Sequence, residues 1–471
     1  MAAGGRGRGP GGGRPGLRAQ RRRPIAPRGG RRRRRPGGPG DGDDPPEGGR
    51  LGQCAGARRR RRRRDEPDPL GRRAIPVSAR ATIVLVVWVA LAVANGLYFT
   101  FSVFLVPLVE EFRWSRGLTA GALSLSTVLQ GLLAPVAGIL VDRFGPRRII
   151  LTGAVLLSAA SILTATISSA WELYLYTGLL GAVGLVGLGP VPMGVLLARW
   201  FAARRGRAVG IAFSGMGFGV FVTGPLAQWL IASMGWRVAS AVLGLGAFCV
   251  LAPIAWIGAR DPQARADEPT RPRERAADST LRHALRTRAF WALWFAYLCT
   301  PLAVFPVTIH QVAFAIDRGF QPLLAASIFG VMGLLSIVGR VSFGFAADRF
   351  GGALAATTSY ACTAGGVLAL LALESDGRAG WLVAYALLFG LGFGARGPII
   401  TAMASDLFGG RRFGVIYGAM SLGNGLGGAI GPWFGGVVHD VLGSYRVVFL
   451  ASVAFCVLGS ACFWLASRRV P

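Results

Sequence analysis

The chain contains no lysine: all 52 of its basic residues are arginine. No phosphate-loop Gly-Lys pair can therefore exist. With the abundant glycine and alanine, this usage reads as the base composition of a GC-rich gene more than as a function. Histidine is scarce as well. His283, His310 and His439 lie far apart and without H-E-x-x-H spacing, which leaves metal hydrolysis no apparatus. The six cysteines, Cys54, Cys249, Cys299, Cys362, Cys456 and Cys462, include no CxxC pair, and most fall in apolar runs where a thiol acts as a small hydrophobe. No disulfide framework, metal site or cofactor is expected. A secretory signal is missing too, because the basic N-terminal stretch leads into a full-length apolar run and not a short one with a small-residue cleavage site.

What is present is apolar. The 471 residues are 52% hydrophobic and 16% charged, with mean hydropathy +0.48, too apolar for an ordinary soluble domain of this size. Runs of about 20 apolar residues, enough to cross roughly 30 Å of hydrocarbon as helices, recur near 82–108, 118–141, 148–168, 172–199, 207–231, 236–258, 289–313, 322–346, 353–374, 380–405, 412–438 and 446–467. A span in lipid must satisfy its own backbone hydrogen bonds, so each run predicts a helix and the chain an all-α membrane protein.

Charge placement sets the orientation. Asp142 to Arg148, Arg199 to Arg207, the 259–288 segment, Arg411-Arg412 and Arg468-Arg469 fall on one side when the spans alternate. That side is expected to be cytoplasmic, with both termini inside a cell inner (plasma) membrane. Before Ala81 lie 24 arginines and 7 acids in a Gly/Pro/Arg-rich tail, residues 1–80, without apolar periodicity. Disorder or a mis-assigned start is the expectation there, with anionic lipid contact next. Nucleic acid comes last, because no aromatics interleave the arginines. No methionine occurs between Met1 and Met193, so initiation at Val77 from a GTG codon is one expectation.

An internal repeat organises the rest. Phe201-Ala-Ala-Arg204-Arg205 is followed by Gly224-Pro225, and Phe408-Gly-Gly-Arg411-Arg412 by Gly431-Pro432, at an offset of 207. Independently, Gly138-x-x-x-Asp142-Arg143-Phe144-Gly145 returns as Gly344-x-x-x-Asp348-Arg349-Phe350-Gly351, at an offset of 206. Two unrelated motifs share one period. The chain divides into a six-helix bundle over 81–258, a hydrophilic linker over 259–288 and a second bundle over 289–471.

With these motifs the chain from about Ala81 onward resembles the major facilitator superfamily, whose G-x-x-x-D-R-x-G loop stands between spans two and three and again between eight and nine. More narrowly, Arg199-Trp200-Phe201-x-x-Arg204-Arg205-Gly206, Gly235-Trp236-Arg237 and Gly339-Arg340 followed by Gly344 resemble the monocarboxylate-porter and oxalate/formate-antiporter branch. The resemblance implies twelve transmembrane helices in two pseudo-symmetric six-helix bundles, alternating access, and a small organic anion as substrate. Two positions depart from the branch. Ser336 stands where monocarboxylate porters carry an acid, four residues before the span-eight arginine, and span eleven has no lysine. The coupling partner, a proton or a counter-anion, stays open.

An ionisable group at the centre of a span costs at least about 2.5–3.5 kcal/mol and is a functional candidate by default. Arg340 lies eight residues from Asp348 and Arg396 ten from Asp406, which at about 1.5 Å per residue puts both roughly 12–15 Å deep. No Asp or Glu shares that depth, so both are expected to face an anion, the alternative being an arginine that snorkels or caps a helix break at Gly394 or Gly397-Pro398. Secondary candidates for the substrate cavity are Asn95, Tyr98, Gln130, His310, Tyr417 and Asn424, each weighed against plain interhelical hydrogen bonding worth about 0.6 kcal/mol. His310, near the outer end of span seven, also reads as a pH-sensitive gate or an interfacial hydrogen-bonding residue. Asp142, Arg143 and Gly145, with Asp348, Arg349 and Gly351, are the gating candidates, since the resemblance implies contacts that hold one access state and break in the other.

The glycine runs at 181–189, 210–224 and 423–431 read as helix-packing surfaces, and Gly224-Pro225 and Gly431-Pro432 as kinks. The leading expectation is a secondary transporter of a small organic mono- or dicarboxylate, acting as a monomer by rocker-switch alternating access. The alternative is a drug or metabolite exporter. A membrane enzyme or a non-transporting sensor ranks below both, because no paired carboxylates, nucleophile and base, or output domain is visible.

Overall fold

A computed structural model describes residues 77–201, 205–258, 280–408 and 413–467. The first 76 residues of the arginine-rich tail and residues 259–279 of the expected linker lie outside the described residues. Ten helical stretches are long and apolar enough to cross a membrane. One of them, Ala208–Trp256, is 49 residues long and is two spans joined at Gly235, where φ is 80° and the helix breaks. A further helix of 30 residues, Phe413–Leu442, is rich in glycine and completes a set of twelve. Large apolar side chains such as Ile139, Phe345 and Val457 are left exposed, as a lipid solvent requires.

In chain order the first half is α1 (Val77–Phe112), α2 (Arg116–Phe144), α3 (Pro146–Thr164), a fourth span of α4 (Ala170–Leu173), a π-helical stretch (Tyr174–Leu180), α5 (Gly181–Gly187) and α6 (Pro190–Trp200), and then α7 (Arg205–Gly258), which holds spans five and six. A short α8 (Leu281–Ala284) lies within the expected linker. The second half is α9 (Arg288–Asp317), α10 (Pro322–Phe350), α11 (Gly352–Asp376), α12 (Gly380–Gly392) with α13 (Arg396–Phe408) as one broken span, α14 (Phe413–Leu442) and α15 (Arg446–Ser467).

The repeat read from sequence has a matching backbone. Gly145 and Gly351 both stop a helix with nearly the same torsions, φ 81° and ψ 155° against φ 92° and ψ 151°, and each N–H returns to a carbonyl four residues back, Val141 and Ala347. Spans four and ten are broken at equivalent points, between Gly187 and Pro190 and between Gly392 and Arg396. By contrast the backbone stays helical through Gly224-Pro225 and Gly431-Pro432, so the interruptions fall elsewhere than those prolines. Packing follows the same symmetry. α3 lies against the span-six part of α7 as α11 lies against α15, and the two halves meet where α2 packs on α14 and α10 on the span-five part of α7.

Glycine makes the close crossings possible, because lipid supplies no hydrophobic drive between helices and backbones must approach to gain packing. A methyl on Gly219 would land on the Ala92 carbonyl of α1, and one on Gly215 on the Trp88 carbonyl. On the other side Gly423 and Gly427 face the Trp294 and Leu298 carbonyls of α9. Gly219→Ala is therefore expected to cost about 1–3 kcal/mol of overpacking. The check is a lowered unfolding temperature in detergent, with Gly210→Ala as control, since that position meets nothing within 4 Å.

Candidate functional site

The seam between the halves is closed at one end and loose at the other. At the end away from the arginine-rich loops, the start of α2 is fastened to the second half. The Arg116 guanidinium donates to both Asp317 oxygens at 2.6 and 2.8 Å and to the Tyr445 hydroxyl at 2.7 Å. The backbone N–H groups of Arg116 and Gly117 donate to the two Asp440 oxygens at 2.9 and 2.7 Å. Asp440 thus places its negative charge on the first turn of a helix from the opposite half, where the free N–H groups and the helix dipole favour it. Gly117 and Gly436 permit this approach, since a methyl on Gly436 would meet the Gly117 nitrogen at 2.5 Å. Burial raises the Tyr445 hydroxyl above its usual range, so it stays protonated and able to donate. Deeper in the seam Ser102 of α1 donates to the Thr308 and Ile309 carbonyls of α9.

Below this gate sits an aromatic plug. The Phe99 ring from the first half meets Phe305, Phe329 and Phe393 from three elements of the second, with centroids 6.4, 6.5 and 5.8 Å away and edge-on geometry. Tyr98 beside it shares a 2.9 Å hydrogen bond with Thr127 of α2.

At the arginine-rich end the expected gating residues are unengaged. Asp142, Arg143, Asp348 and Arg349 are exposed, and among the described residues neither aspartate has a hydrogen-bond or ion-pair partner. Their arginines lie only over the neighbouring rings of Phe144 and Phe350. Every ion pair among the described residues is at the opposite end, including Arg237 with Glu111 and Arg318 with Glu374.

The two arginines of spans eight and ten point in different directions. Arg340 of α10 reaches across the seam, donates from Nη1 to the Phe213 carbonyl of α7 at 3.0 Å, and leaves its buried Nε without a partner. It lies against the break in span ten. Gly394 there has φ 79°, and a methyl on it would meet the Arg340 Nε at 2.6 Å. Arg396, two residues on, points into its own half. It is 1% exposed, donates to Thr363 at 2.8 Å and to the Ser359 carbonyl at 3.3 Å, and lies 4.5 Å over the Tyr360 ring. The expectation that both arginines line one cavity is revised accordingly: only Arg340 lies at the seam. The position four residues before it is a packing contact, because Ser336 is fully buried and its Oγ would meet a methyl on Gly217 of α7 at 2.7 Å.

Arg396 is then a packing group whose Nε and Nη2 are buried without partners. Such a group costs stability, and an apolar side chain of similar length often replaces it without loss. Arg396→Met is expected to keep or raise the unfolding temperature and to leave ligand-induced stabilisation within about twofold of the parent. Loss of that stabilisation in a folded protein would return Arg396 to the substrate site.

The secondary candidates separate as well. Asn95 is half-buried and donates only to Leu91 of its own helix, and Gln130 donates to Ser126 one turn back. Asn424 is half-buried beside Gly425, which faces Gly131 next to Gln130, so these two amides flank one crossing of α2 and α14. Tyr417 joins a hydroxyl chain with Tyr297 at 2.7 Å and Thr401 at 2.8 Å. His310 is fully buried within the closed gate, away from the others. Sequence reading missed Tyr297, Thr401 and the whole Arg116, Asp317, Asp440 and Tyr445 cluster. The one available signal was acidic residues at the ends of spans seven and eleven opposite an arginine opening span two.

The chain and its fold have known relatives. A model of the Major Facilitator Superfamily matches residues 87–421 and again 343–471. The chain belongs to the Major Facilitator Superfamily. It is a multi-pass membrane transporter and not an enzyme. It is 29% identical over 378 residues to monocarboxylate transporter 13 of Bos taurus, covering 80% of this chain and 87% of that one. It is 28% identical to monocarboxylate transporter 11 of Mus musculus, covering 82% and 88%. In fold it matches the crystal structure of a bacterial homologue of the human lysosomal transporter Spinster, with TM-score 0.65 and 16% identity over 84% of this chain and 98% of that one.

Proposed function

We propose that this protein carries small organic monocarboxylates across the membrane by alternating access, with Arg340 as the group that receives the carboxylate. One observation carries the reading. A guanidinium lies at the seam between the halves with, among the described residues, a single backbone carbonyl as hydrogen-bond partner and no carboxylate bonded to it. A guanidinium keeps its proton and offers paired donors matched to a carboxylate, so the missing counter-charge is the substrate's. A single arginine at the seam favours one carboxylate over two, and the monocarboxylate transporters among its relatives support the same class. The arginine-rich face is taken as cytoplasmic on the positive-inside rule, in a plasma membrane. The conformation described is then the one open toward the cytoplasm.

The test is a thermal-shift screen of purified protein against short monocarboxylates, matched dicarboxylates and lipophilic cations. Stabilisation by monocarboxylates that vanishes in Arg340→Gln is the expected result. Stabilisation by lipophilic cations alone would replace the reading with that of a drug exporter.

A further inference from the structure

The closed gate contains a hydrogen-bond chain that permits only one polarity. Arg116 Nη1 is 2.7 Å from the Tyr445 oxygen, that oxygen is 3.3 Å from His310 Nδ1, and His310 Nε2 is 2.9 Å from the Pro432 carbonyl. A guanidinium can only donate and a carbonyl can only accept. His310 Nε2 must therefore carry a hydrogen. Because Arg116 already donates to the Tyr445 oxygen, the phenolic hydrogen is directed to Nδ1, which must be bare. Closing the gate selects the neutral Nε2–H tautomer of a ring that is fully buried.

A second ring proton has no place in that arrangement. An Nδ1–H would meet the Tyr445 O–H, forcing the phenol to accept from two cationic groups while its own hydrogen, on a residue 2% exposed, loses its acceptor. Among the described residues no charged group hydrogen-bonds the ring directly. Arg116 of α2 faces the ring through Tyr445. Asp317 of α9 is occupied by Arg116, Asp440 of α14 by the two α2 amides, and His439 of α14 lies against the Tyr445 ring, with centroids 4.4 Å apart. The other neighbours are apolar, Phe314 and Phe449 against Tyr445 and Pro306 near the histidine across Gly435.

Opening the gate removes the constraint, because Arg116 leaves with the first half. The Tyr445 oxygen then loses its donor, and the phenol can turn to accept from Nδ1–H. We propose that His310 is the proton sensor of this gate: a proton taken from the adjoining solvent onto Nδ1 holds the gate open, and closure returns it. As pH falls, the population moves toward the open gate. A chain without a midplane carboxylate thereby gains a proton-linked step. The inference does not depend on the identity of the substrate.

The experiment measures gate width directly. Spin labels on Thr166→Cys and Arg378→Cys, at the gate end of the first and second halves, report the distance across the seam in a full-length background with the native cysteines replaced. Both positions are exposed. Distance distributions at about pH 8 and about pH 5.5 bracket histidine titration. The expected result is a longer-distance population that grows at the lower pH. His310→Gln, whose amide can still donate to Pro432 and accept from Tyr445, should keep the gate closed at both values and lose the shift. His439→Gln should retain it. Tyr445→Phe leaves the ring in place and removes its donor, so it should loosen the gate at the higher pH and shrink the pH difference, which keeps the test open if His310→Gln folds poorly. A parent protein whose distances ignore pH, a shift that survives His310→Gln, or one that disappears only with His439→Gln would each overturn the assignment.

Discussion

Arg340→Gln is expected to cut carboxylate uptake into proteoliposomes by roughly 10- to 100-fold, the equivalent of about 1.5–3 kcal/mol for a charge-assisted hydrogen bond. Glutamine removes the charge but retains a donor for the Phe213 carbonyl, so the contact between α10 and α7 survives in part and the fold should hold. Arg340→Lys should recover only part of the activity, because one ammonium cannot reproduce a planar fork shared between a carbonyl and a carboxylate. A third variant moves the group without removing it. Gly394→Ala places a methyl on the guanidinium at a backbone angle, φ 79°, that alanine rarely adopts. It should weaken binding while net charge is unchanged. Uptake by Arg340→Gln within twofold of the parent would remove the carboxylate from this site.

The reason only one arginine enters this prediction also marks the limit of sequence reading. Twelve spans and the repeat were legible because hydropathy and spacing survive projection onto one dimension: the expected runs fall largely on helices among the described residues, and two of them, 172–199 and 380–405, cross a helix break. The closeness of the two positions was legible as well, since the rise along a helix is constant, and Gly394, two residues before Arg396, lies against the Arg340 side chain. Direction was not. The break between Gly392 and Arg396 resets the helical phase, so the angular period of α12 no longer fixes where Arg396 points, and it turns to Ser359 and Thr363. The gate was hidden for a different reason. Arg116, Asp317, Asp440 and Tyr445 each lie at or just beyond the end of a span, where polar side chains are ordinary. Their meaning comes only from pairing across separations of 201, 324 and 329 residues. Arg113 shows local strain that sequence hints at. Its φ is 58° where the second half has Gly319, so one half uses a glycine at a turn that the other builds with a bulky side chain.

The two ends of the seam should oppose each other energetically, and paired substitutions can measure this. In the state described, Arg116 is bound to Asp317 while Asp142 and Asp348 stand free among the described residues. Asp317→Asn weakens what is formed here by about 1.5–3 kcal/mol, so the equilibrium should move toward the state with this gate open. Asp142→Asn touches nothing formed here. If its carboxylate engages only when the arginine-rich end closes, as the resemblance implies, its loss moves the equilibrium the opposite way. Each single substitution should then slow net transport about tenfold or more by favouring one state, with substrate affinity of the accessible site changed less than about twofold. The double variant is the informative one. Two opposed shifts should partly cancel, so Asp142→Asn combined with Asp317→Asn is expected to turn over faster than Asp142→Asn alone, and the spin-label distances across the gate should return toward those of the parent. Losses that multiply in the double variant would mean that the two ends are not alternatives of one equilibrium, and the motif aspartates would then act on folding or on the rate of a step unrelated to gate exchange.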